Sequence, residues 1–326
     1  MREETFTFMN DTGQFVFVYS WFPADPAAPL RGILQIAHGM TESAVRYARF
    51  AGALTEAGFA VYANDHRGHG RTAKTPEELG YPGEDGLNGM VRDMSVLGDI
   101  IRERHPELPL FLLGHSMGSF LTQKTMYTDP GRYSGFILSG TNGPRGLLAF
   151  GVRLAQLQAA LQGPDHPSLL LNALSFGTYN KGLMPIRTPF DWLSRDEREV
   201  DKFVESPVCG FVCSAEFFRG LFGLLREIHR PENMALIPKD KPVYIFSGDQ
   251  DPVGFKGKGV RRLAAIYQSL GLRQLEVKLY PGGRHEMLNE TNRDEVTRDA
   301  VDWLRRHLPQ AQESAQTGEP EPSPPQ

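Results

Sequence analysis

Short apolar runs alternate with amphipathic stretches along most of the chain. Each apolar run has the length of a strand, and apolar residues recur every three or four positions between the runs, which predicts helices. The predicted strands are an opening hairpin of TFTF and FVFVYSWF, followed by GILQIAHG, FAVYAND, PLFLLGH, GFILSG, PVYIFSGD and QLEVKLY. Helices are predicted over residues 47–58, 91–104, 116–128 and 260–270, with a last helix ending at His307. Such alternation builds a mostly parallel sheet covered by helices on both faces, so the pattern predicts an α/β fold.

The alternation breaks between residues 142 and 238. This region has no clear strand and carries apolar-rich helical stretches at 147–161 and 217–228. We therefore expect a helical cap (lid) inserted into an α/β core of residues 1–141 and 239–309. The Leu and Phe residues of the cap fit packing onto the core and a tunnel for an acyl chain equally well, because periodicity does not separate a tunnel wall from a core.

Composition and charge narrow the classes of function. The 326-residue chain has a formal net charge of −4, whereas nucleic-acid binding calls for a basic face, so nucleic acid is not an expected partner. No apolar run approaches the roughly 18 residues of a membrane span. The N-terminal stretch MREETFTFMN lacks an apolar signal core, and we expect a cytoplasmic protein. Residues 310–326 are polar and proline-rich, which predicts a disordered tail.

Metal and cofactor chemistry finds no support in the residue spacing. The two cysteines, Cys209 and Cys213, are four residues apart, which would place them on one face of a helix. Two sulfurs alone make a poor zinc site, so free thiols in a reducing compartment are the expectation. We expect no metal and no cofactor.

The motif Gly114-His115-Ser116-Met117-Gly118 lies where a predicted strand meets a predicted helix. It fits G-x-S-x-G, in which two glycines tolerate crowding around a serine that is pushed out of the sheet. A tight turn is the ordinary alternative. In an α/β sheet, however, ligand sites form at the carboxyl ends of strands, so Ser116 is a candidate nucleophile.

A serine nucleophile needs a base, and the base needs an acid to orient it. In this architecture the chain order is serine, acid, histidine. Among the nine histidines, His285 alone follows a late strand in a glycine-rich loop, YPGGRHEML, whereas His307 ends a charged helix. The strand before it, PVYIFSGDQDPV, offers Asp249 and Asp251, and spacing does not choose between them.

Four groups of residues resemble motifs of the α/β-hydrolase superfamily. They are HGM at 38–40, DHRGHGRT at 65–72, GHSMG at 114–118, and GDQDPVG with GGRHEM near the end. Within the superfamily the chain resembles the monoacylglycerol lipase and lysophospholipase-like group, whose domain is often labelled serine aminopeptidase S33. The resemblance covers nearly the whole core.

The resemblance implies roles for individual residues. The family's acid ends a G-x-x-D step, which matches Asp251 rather than Asp249. Two backbone N–H groups stabilise the oxyanion in acyl transfer. One comes from the residue after the nucleophile, here Met117, and the resemblance assigns the other to Met40. Relatives commonly carry Glu-His where this chain has Glu42 followed by Ser43, which is a departure in the same loop.

The expected function is hydrolysis of a carboxylic ester of a lipid-like substrate, a monoacylglycerol or a lysophospholipid, through an acyl-enzyme. Ser116 would attack, His285 would move the proton and Asp251 would orient His285.

Three alternatives stay open: an esterase for small esters, a proline-type aminopeptidase, and a ligand-binding protein on the same fold. A peptidase would need an acidic cluster in the cap, for which residues 197–205 are candidates. A dehalogenase is excluded, because it requires an aspartate where Ser116 stands. The oligomeric state is not predicted, and the cap could touch membranes transiently.

Overall fold

A central sheet of eight strands organises the computed structural model, which describes residues 1–309. Its spatial order is β1-β2-β4-β3-β5-β6-β7-β8. The strands are β1 Arg2–Met9, β2 Phe15–Phe22, β3 Gly32–Ala37, β4 Phe59–Asn64, β5 Leu110–His115, β6 Gly135–Ser139, β7 Val243–Gly248 and β8 Leu275–Tyr280. Strand β2 is antiparallel to both β1 and β4, and all later pairs are parallel. The prediction of a hairpin that opens a mostly parallel sheet is therefore confirmed.

Helices cover both faces of this sheet. They are α1 Ala48–Glu56, α2 Gly86–Arg104, α3 Met117–Thr128, α4 Leu148–Gln162, α5 Leu169–Phe176, α6 Glu197–Glu205, α7 Ala215–Ile228, α8 Pro231–Ala235, α9 Lys258–Ser269 and α10 Arg293–Arg306. Apolar residues of α1 and α10 form one core with one face of the sheet, and those of α2, α3 and α9 form a second core on the other face. The residues of β3, β4 and β5 are all buried, as expected for strands covered on both sides.

Helices α4 to α8 follow β6 and precede β7. Helix α4 packs on α7, and α7 packs on α2 and α3 of the core. Cys209 and Cys213 lie between α6 and α7, outside any helix, so the helix face suggested by their spacing does not form. Both are free thiols, as expected. The predicted disordered tail, 310–326, lies outside the described residues.

Helix α2 starts at Gly86, five residues before the predicted start at Val91. Glycine is a poor helix former, so the stretch GLNG gives little local signal. Tertiary contacts instead determine where this helix begins. Leu87 is buried in the core, and a Cβ on Gly89 would lie 2.3 Å from the Arg67 guanidinium. Over residues 1–309, no helix has both the length and the apolar character required to cross a bilayer.

Candidate active site

The candidate residues converge at the carboxyl-terminal edge of the sheet. Met40 follows β3, Ser116 follows β5, Asp251 follows β7 and His285 follows β8. Parallel strands bring their carboxyl ends to the same edge, so loops that are far apart in sequence meet there.

Ser116 stands in a strained turn between β5 and α3. Its φ of 52° and ψ of −117° form a conformation that residues other than glycine rarely adopt. A Cβ at Gly114 would lie 2.2 Å from the Gly118 carbonyl oxygen, and one at Gly118 would lie 2.0 Å from the Ala37 carbonyl oxygen. Both flanking positions therefore require glycine. The Ser116 N–H donates to the Ser139 carbonyl at 2.9 Å, which ties the turn to β6.

His285 pairs with Asp251. The distance from His285 Nδ1 to Asp251 Oδ2 is 3.0 Å, and both side chains are buried. Asp251 also accepts hydrogen bonds from the Ser247 hydroxyl at 2.9 Å and from the Val253 N–H at 2.8 Å. Asp249 instead accepts from the Gly282 N–H at 2.8 Å, so it supports the loop before His285 without touching the imidazole.

The pair shifts the pKa of both partners. Burial lowers the pKa of His285, but the Asp251 carboxylate and then Glu286 and Glu42 raise it, so it stands above its ordinary value. Burial raises the pKa of Asp251, yet the neighbouring His285 and the hydrogen bonds it accepts hold it below its ordinary value. The site thus favours a positive charge on His285.

Ser116 and His285 line the same cavity. Within residues 1–309, His285 Nε2 makes no hydrogen bond, and none joins it to Ser116 Oγ. Such bonds often tighten only when substrate is bound. The Trp192 ring lies 5.1 Å from the His285 ring and covers it from the segment between α5 and α6.

The loop after β3 presents the Met40 N–H group next to two N–H groups that are already engaged. The Gly39 N–H donates to Glu42 Oε1 at 2.5 Å, and the Thr41 N–H donates to His69 Nε2 at 3.1 Å. The Met40 N–H between them has no partner in the part of the chain that the structure describes. Met117 is the first residue of α3, where backbone N–H groups have no partner within the helix. Both N–H groups are therefore free to meet an anionic oxygen.

Two cavities meet at Ser116. The first is about 380 Å³ and has a mixed lining, in which Glu42, Glu286, Asn172 and Asn180 lie among apolar side chains such as Trp192. The second is about 570 Å³ and is largely apolar, with Leu148, Leu154, Leu171, Leu221 and Phe222 in its walls. Met40 and Phe176 border both cavities along with Ser116. An extended substrate could therefore place unlike halves on the two sides of the serine.

Several neighbours of the site were not found from the sequence. Arg46 bridges Glu42 and Glu286, and Arg145 is the charged side chain that lines the apolar cavity. The four-residue spacing of Glu42 and Arg46 was an available signal for that pair. Glu286 and Arg145 carry no local signal, because their partners come from remote parts of the chain.

The chain belongs to the family described as serine aminopeptidase, S33, whose model matches residues 28–292. It is 32% identical over 295 residues to a monoacylglycerol lipase of Mycolicibacterium smegmatis, covering 88% of this chain and 92% of that relative. It is 27% identical to human monoglyceride lipase, covering 96% and 92% of the two chains. A solved structure of a thermostable carboxyl esterase from Bacillus coagulans superposes with a TM-score of 0.87 at 29% identity, covering 95% of this chain and 100% of that one. The predicted fold class is confirmed, and the chain is an α/β-hydrolase of the ester-hydrolysing type.

Proposed function

We propose that this protein hydrolyses monoacylglycerols through an acyl-enzyme formed on Ser116. The observation that carries the proposal is that His285, which is bonded to Asp251, lines one cavity together with the strained Ser116. Ser116 Oγ attacks the ester carbonyl carbon while His285 Nε2 takes its proton. Asp251 holds the imidazole in the tautomer that leaves Nε2 available and stabilises the imidazolium.

The oxyanion of the tetrahedral intermediate would accept hydrogen bonds from the Met40 and Met117 N–H groups. The proton on His285 then passes to the departing alkoxide, and the alcohol leaves. Water attacks the acyl-enzyme with His285 again as the base, which releases the fatty acid and regenerates Ser116. Neither donor is a side chain, so substitution of Met40 or Met117 should cost less activity than substitution of Ser116.

The two cavities support a neutral head group. The second cavity, which is largely apolar, suits an acyl chain, and the carboxylates and amides of the first cavity offer hydrogen-bond partners to an alcohol. Two carboxylates, Glu42 and Glu286, face one guanidinium, Arg46, beside the first cavity, so this side carries net negative charge. A phosphate there would be repelled, which favours monoacylglycerol over lysophospholipid.

The acidic residues of α6 give the peptidase alternative no support. Glu197 and Asp201 on α6 pair with Arg187, and Glu199 pairs with Lys202. None of these carboxylates lines either cavity at Ser116 among the residues described. The amino group of a peptide substrate would therefore find no acidic partner on α6.

A substrate panel tests the proposal. The panel holds monooleoylglycerol, lysophosphatidylcholine, p-nitrophenyl butyrate and a proline arylamide, each assayed with wild type and with Ser116→Ala. We expect the highest kcat/KM on monooleoylglycerol and no turnover by Ser116→Ala. Activity confined to the butyrate would make the protein a small-ester esterase, and arylamide cleavage would make it a peptidase. Binding without turnover of any compound would favour a ligand-binding protein.

We also propose that residues 142–238 act as a cap that touches lipid surfaces transiently. Helices α4 and α5 carry strongly exposed apolar side chains, including Phe150, Leu157, Leu161, Leu169 and Leu174. Exposed apolar patches of this kind commonly mark membrane or protein contacts. A lipid surface is also where a long-chain monoacylglycerol is found.

A further inference from the structure

A buried ion cluster joins two loops of the active site. Arg46 Nη1 binds Glu42 Oε2 at 2.7 Å and Glu286 Oε1 at 2.6 Å, and Arg46 Nη2 binds Glu286 Oε2 at 2.7 Å. The side chains are 13%, 4% and 6% exposed for Arg46, Glu42 and Glu286, so water does little to screen these contacts. We call these three residues the Arg46 clamp.

One end of the clamp fixes the oxyanion loop. The second oxygen of Glu42, Oε1, accepts the Gly39 N–H at 2.5 Å and the Tyr47 hydroxyl at 2.9 Å. A Cβ on Gly39 would lie 2.8 Å from that oxygen, so the carboxylate is packed directly against the backbone. Glu42 therefore orients the His38–Gly39 peptide, which is the neighbour of the peptide that carries the Met40 N–H.

The other end fixes the histidine loop. Glu286 directly follows His285, and its carboxylate is held by two bonds from Arg46 and by the Asn289 amide at 3.0 Å. The Glu286 N–H donates to the Leu193 carbonyl at 2.7 Å. The residue that follows His285 is thus held by contacts separate from the bond between the imidazole and Asp251.

We propose that Arg46 is a positioning residue that sets the spacing between the Met40 N–H and the His285 imidazole. This inference rests on the proposed function, because it assigns Arg46 a role in the same reaction. A guanidinium is planar and can bind one carboxylate with two parallel bonds while meeting a second. The ammonium group of lysine keeps the charge but cannot reproduce this geometry.

The clamp also places charge around His285. The groups that face the imidazole from neighbouring elements are Asp251 after β7, Glu42 and Arg46 after β3, Glu286 on its own loop, and His115 at the end of β5. Burial and then His285 lower the pKa of His115 to about 4, so His115 is neutral at physiological pH. Asp251, Glu286 and Glu42 all raise the pKa of His285, while Arg46 offsets part of this charge through its bonds to Glu42 and Glu286, and the remaining negative charge stabilises protonated His285.

A pair of conservative variants tests the positioning role. We expect Arg46→Lys to lose between about 10-fold and 100-fold in kcat on p-nitrophenyl butyrate, with little change in KM, because the reacting groups lose alignment. Arg132→Lys is the matched control. Arg132 is 14% exposed and pairs with Asp99 and Asp129, but it precedes β6 at the opposite edge of the sheet. Wild-type kcat in Arg46→Lys, or an equal loss in Arg132→Lys, would overturn the proposal.

A second variant supplies a readout that a merely structural role would not change. In Glu286→Gln, loss of one carboxylate should move the acidic limb of the kcat/KM profile to lower pH by about 0.5–1 unit. An unmoved limb would contradict the charge argument. NMR titration of the His285 ring in wild type and Glu286→Gln gives the same comparison without substrate. If the wild-type protein were inactive on every ester, the proposed function would be wrong. A lowered His285 pKa in Glu286→Gln would still support the effect of the Arg46 clamp on the imidazole.

Discussion

At Ser116 the local sequence is enough to indicate the turn. The two flanking glycines are needed because the Gly118 and Ala37 carbonyls occupy the space of their side chains. Within residues 114–118, Ser116 is the residue that has a positive φ. Strain of this kind persists only where the surrounding structure holds it in place. The crowding at both glycines supplies that constraint, which is why a five-residue motif could indicate the site.

Asp251 and Asp249 form a natural matched pair for testing the acid. Only Asp251 contacts His285, whereas Asp249 holds the Gly282 N–H. We expect Asp251→Asn to lower kcat by about 10³-fold to 10⁴-fold, because an amide favours the wrong tautomer of the base. Asp249→Asn should keep most of the wild-type kcat. Equal losses in the two variants would reject the assignment, and ester hydrolysis at saturating substrate measures both.

The pH dependence of turnover follows from the surroundings of His285. Burial lowers its pKa, but Asp251, Glu286 and Glu42 raise it above the ordinary value of 6.5. The base acts in its neutral form, so kcat/KM should fall as the pH drops through this raised pKa. The profile on a substrate without ionisable groups should therefore be half-maximal above pH 6.5. A midpoint well below 6.5 would mean that the carboxylates do not stabilise the imidazolium.

At the scale of elements, burial on both faces made the strands easy to predict. Strands β3, β4 and β5 are apolar runs because their apolar residues face one or the other of the two cores. The start of α2 and the partners of Arg46 were missed for a shared reason. Gly89 packs against Arg67, and Arg46 bonds a residue 240 positions away, so neither contact leaves a local pattern. The G-x-S-x-G turn could be predicted because its residues are adjacent in sequence. The candidate triad could be predicted because its members follow a fixed order along the chain.

Helix α4 offers a test of the apolar cavity as an acyl site. Leu154 lines that cavity, whereas Leu157 on the same helix is 58% exposed and does not line it. A tryptophan at position 154 should fill part of the roughly 570 Å³ space. We expect Leu154→Trp to lose activity on monooleoylglycerol while keeping it on p-nitrophenyl butyrate.

Leu157→Trp is the control for this substitution and should retain both activities. The ratio of kcat/KM on the two esters, measured for each variant, is the deciding quantity. An unchanged ratio in Leu154→Trp would mean that the acyl chain lies elsewhere. The apolar cavity would then be packing space of the cap.

The outer surface of α4 and α5 carries the proposed lipid contact. Leu161 is 76% exposed and Leu169 is 71% exposed, and neither lines a cavity at Ser116. Replacing both with serine removes apolar contact worth about 0.8 kcal/mol per buried methylene, so partition onto phosphatidylcholine vesicles should fall by about tenfold or more. Hydrolysis of the water-soluble butyrate should be unaffected. Met9→Ser, which alters an exposed apolar residue of β1, is the control, and an equal loss of vesicle binding there would refute a site on the cap.

Across the whole molecule, the site depends on loops that only the folded sheet brings together. Met40, Ser116, Asp251 and His285 follow four different strands. The Arg46 clamp joins two of these loops, the one after β3 and the one after β8. Catalytic geometry and global stability should therefore share some of the same contacts.

The acid stability of the fold tests this connection at Glu286. Burial raises the pKa of Glu286, but Arg46 lowers it by more, to about 2 against an ordinary 4.5. A carboxyl with a lowered folded-state pKa stabilises the fold above its unfolded pKa and loses that contribution as the pH falls through the folded value. Its contribution should thus be complete above pH 5, on the order of 3 kcal/mol, and should disappear towards pH 2. The contribution of His285 depends on pH in the opposite direction, because a raised pKa stabilises the fold below pH 6.5 and this contribution fades at higher pH.

Urea unfolding of wild type and Glu286→Gln at pH 7 and pH 3 separates the contribution of Glu286 from that of His285. The gap between the proteins should be wide at pH 7 and narrow at pH 3, whereas a constant gap would show that Glu286 contributes through packing and not through its charge.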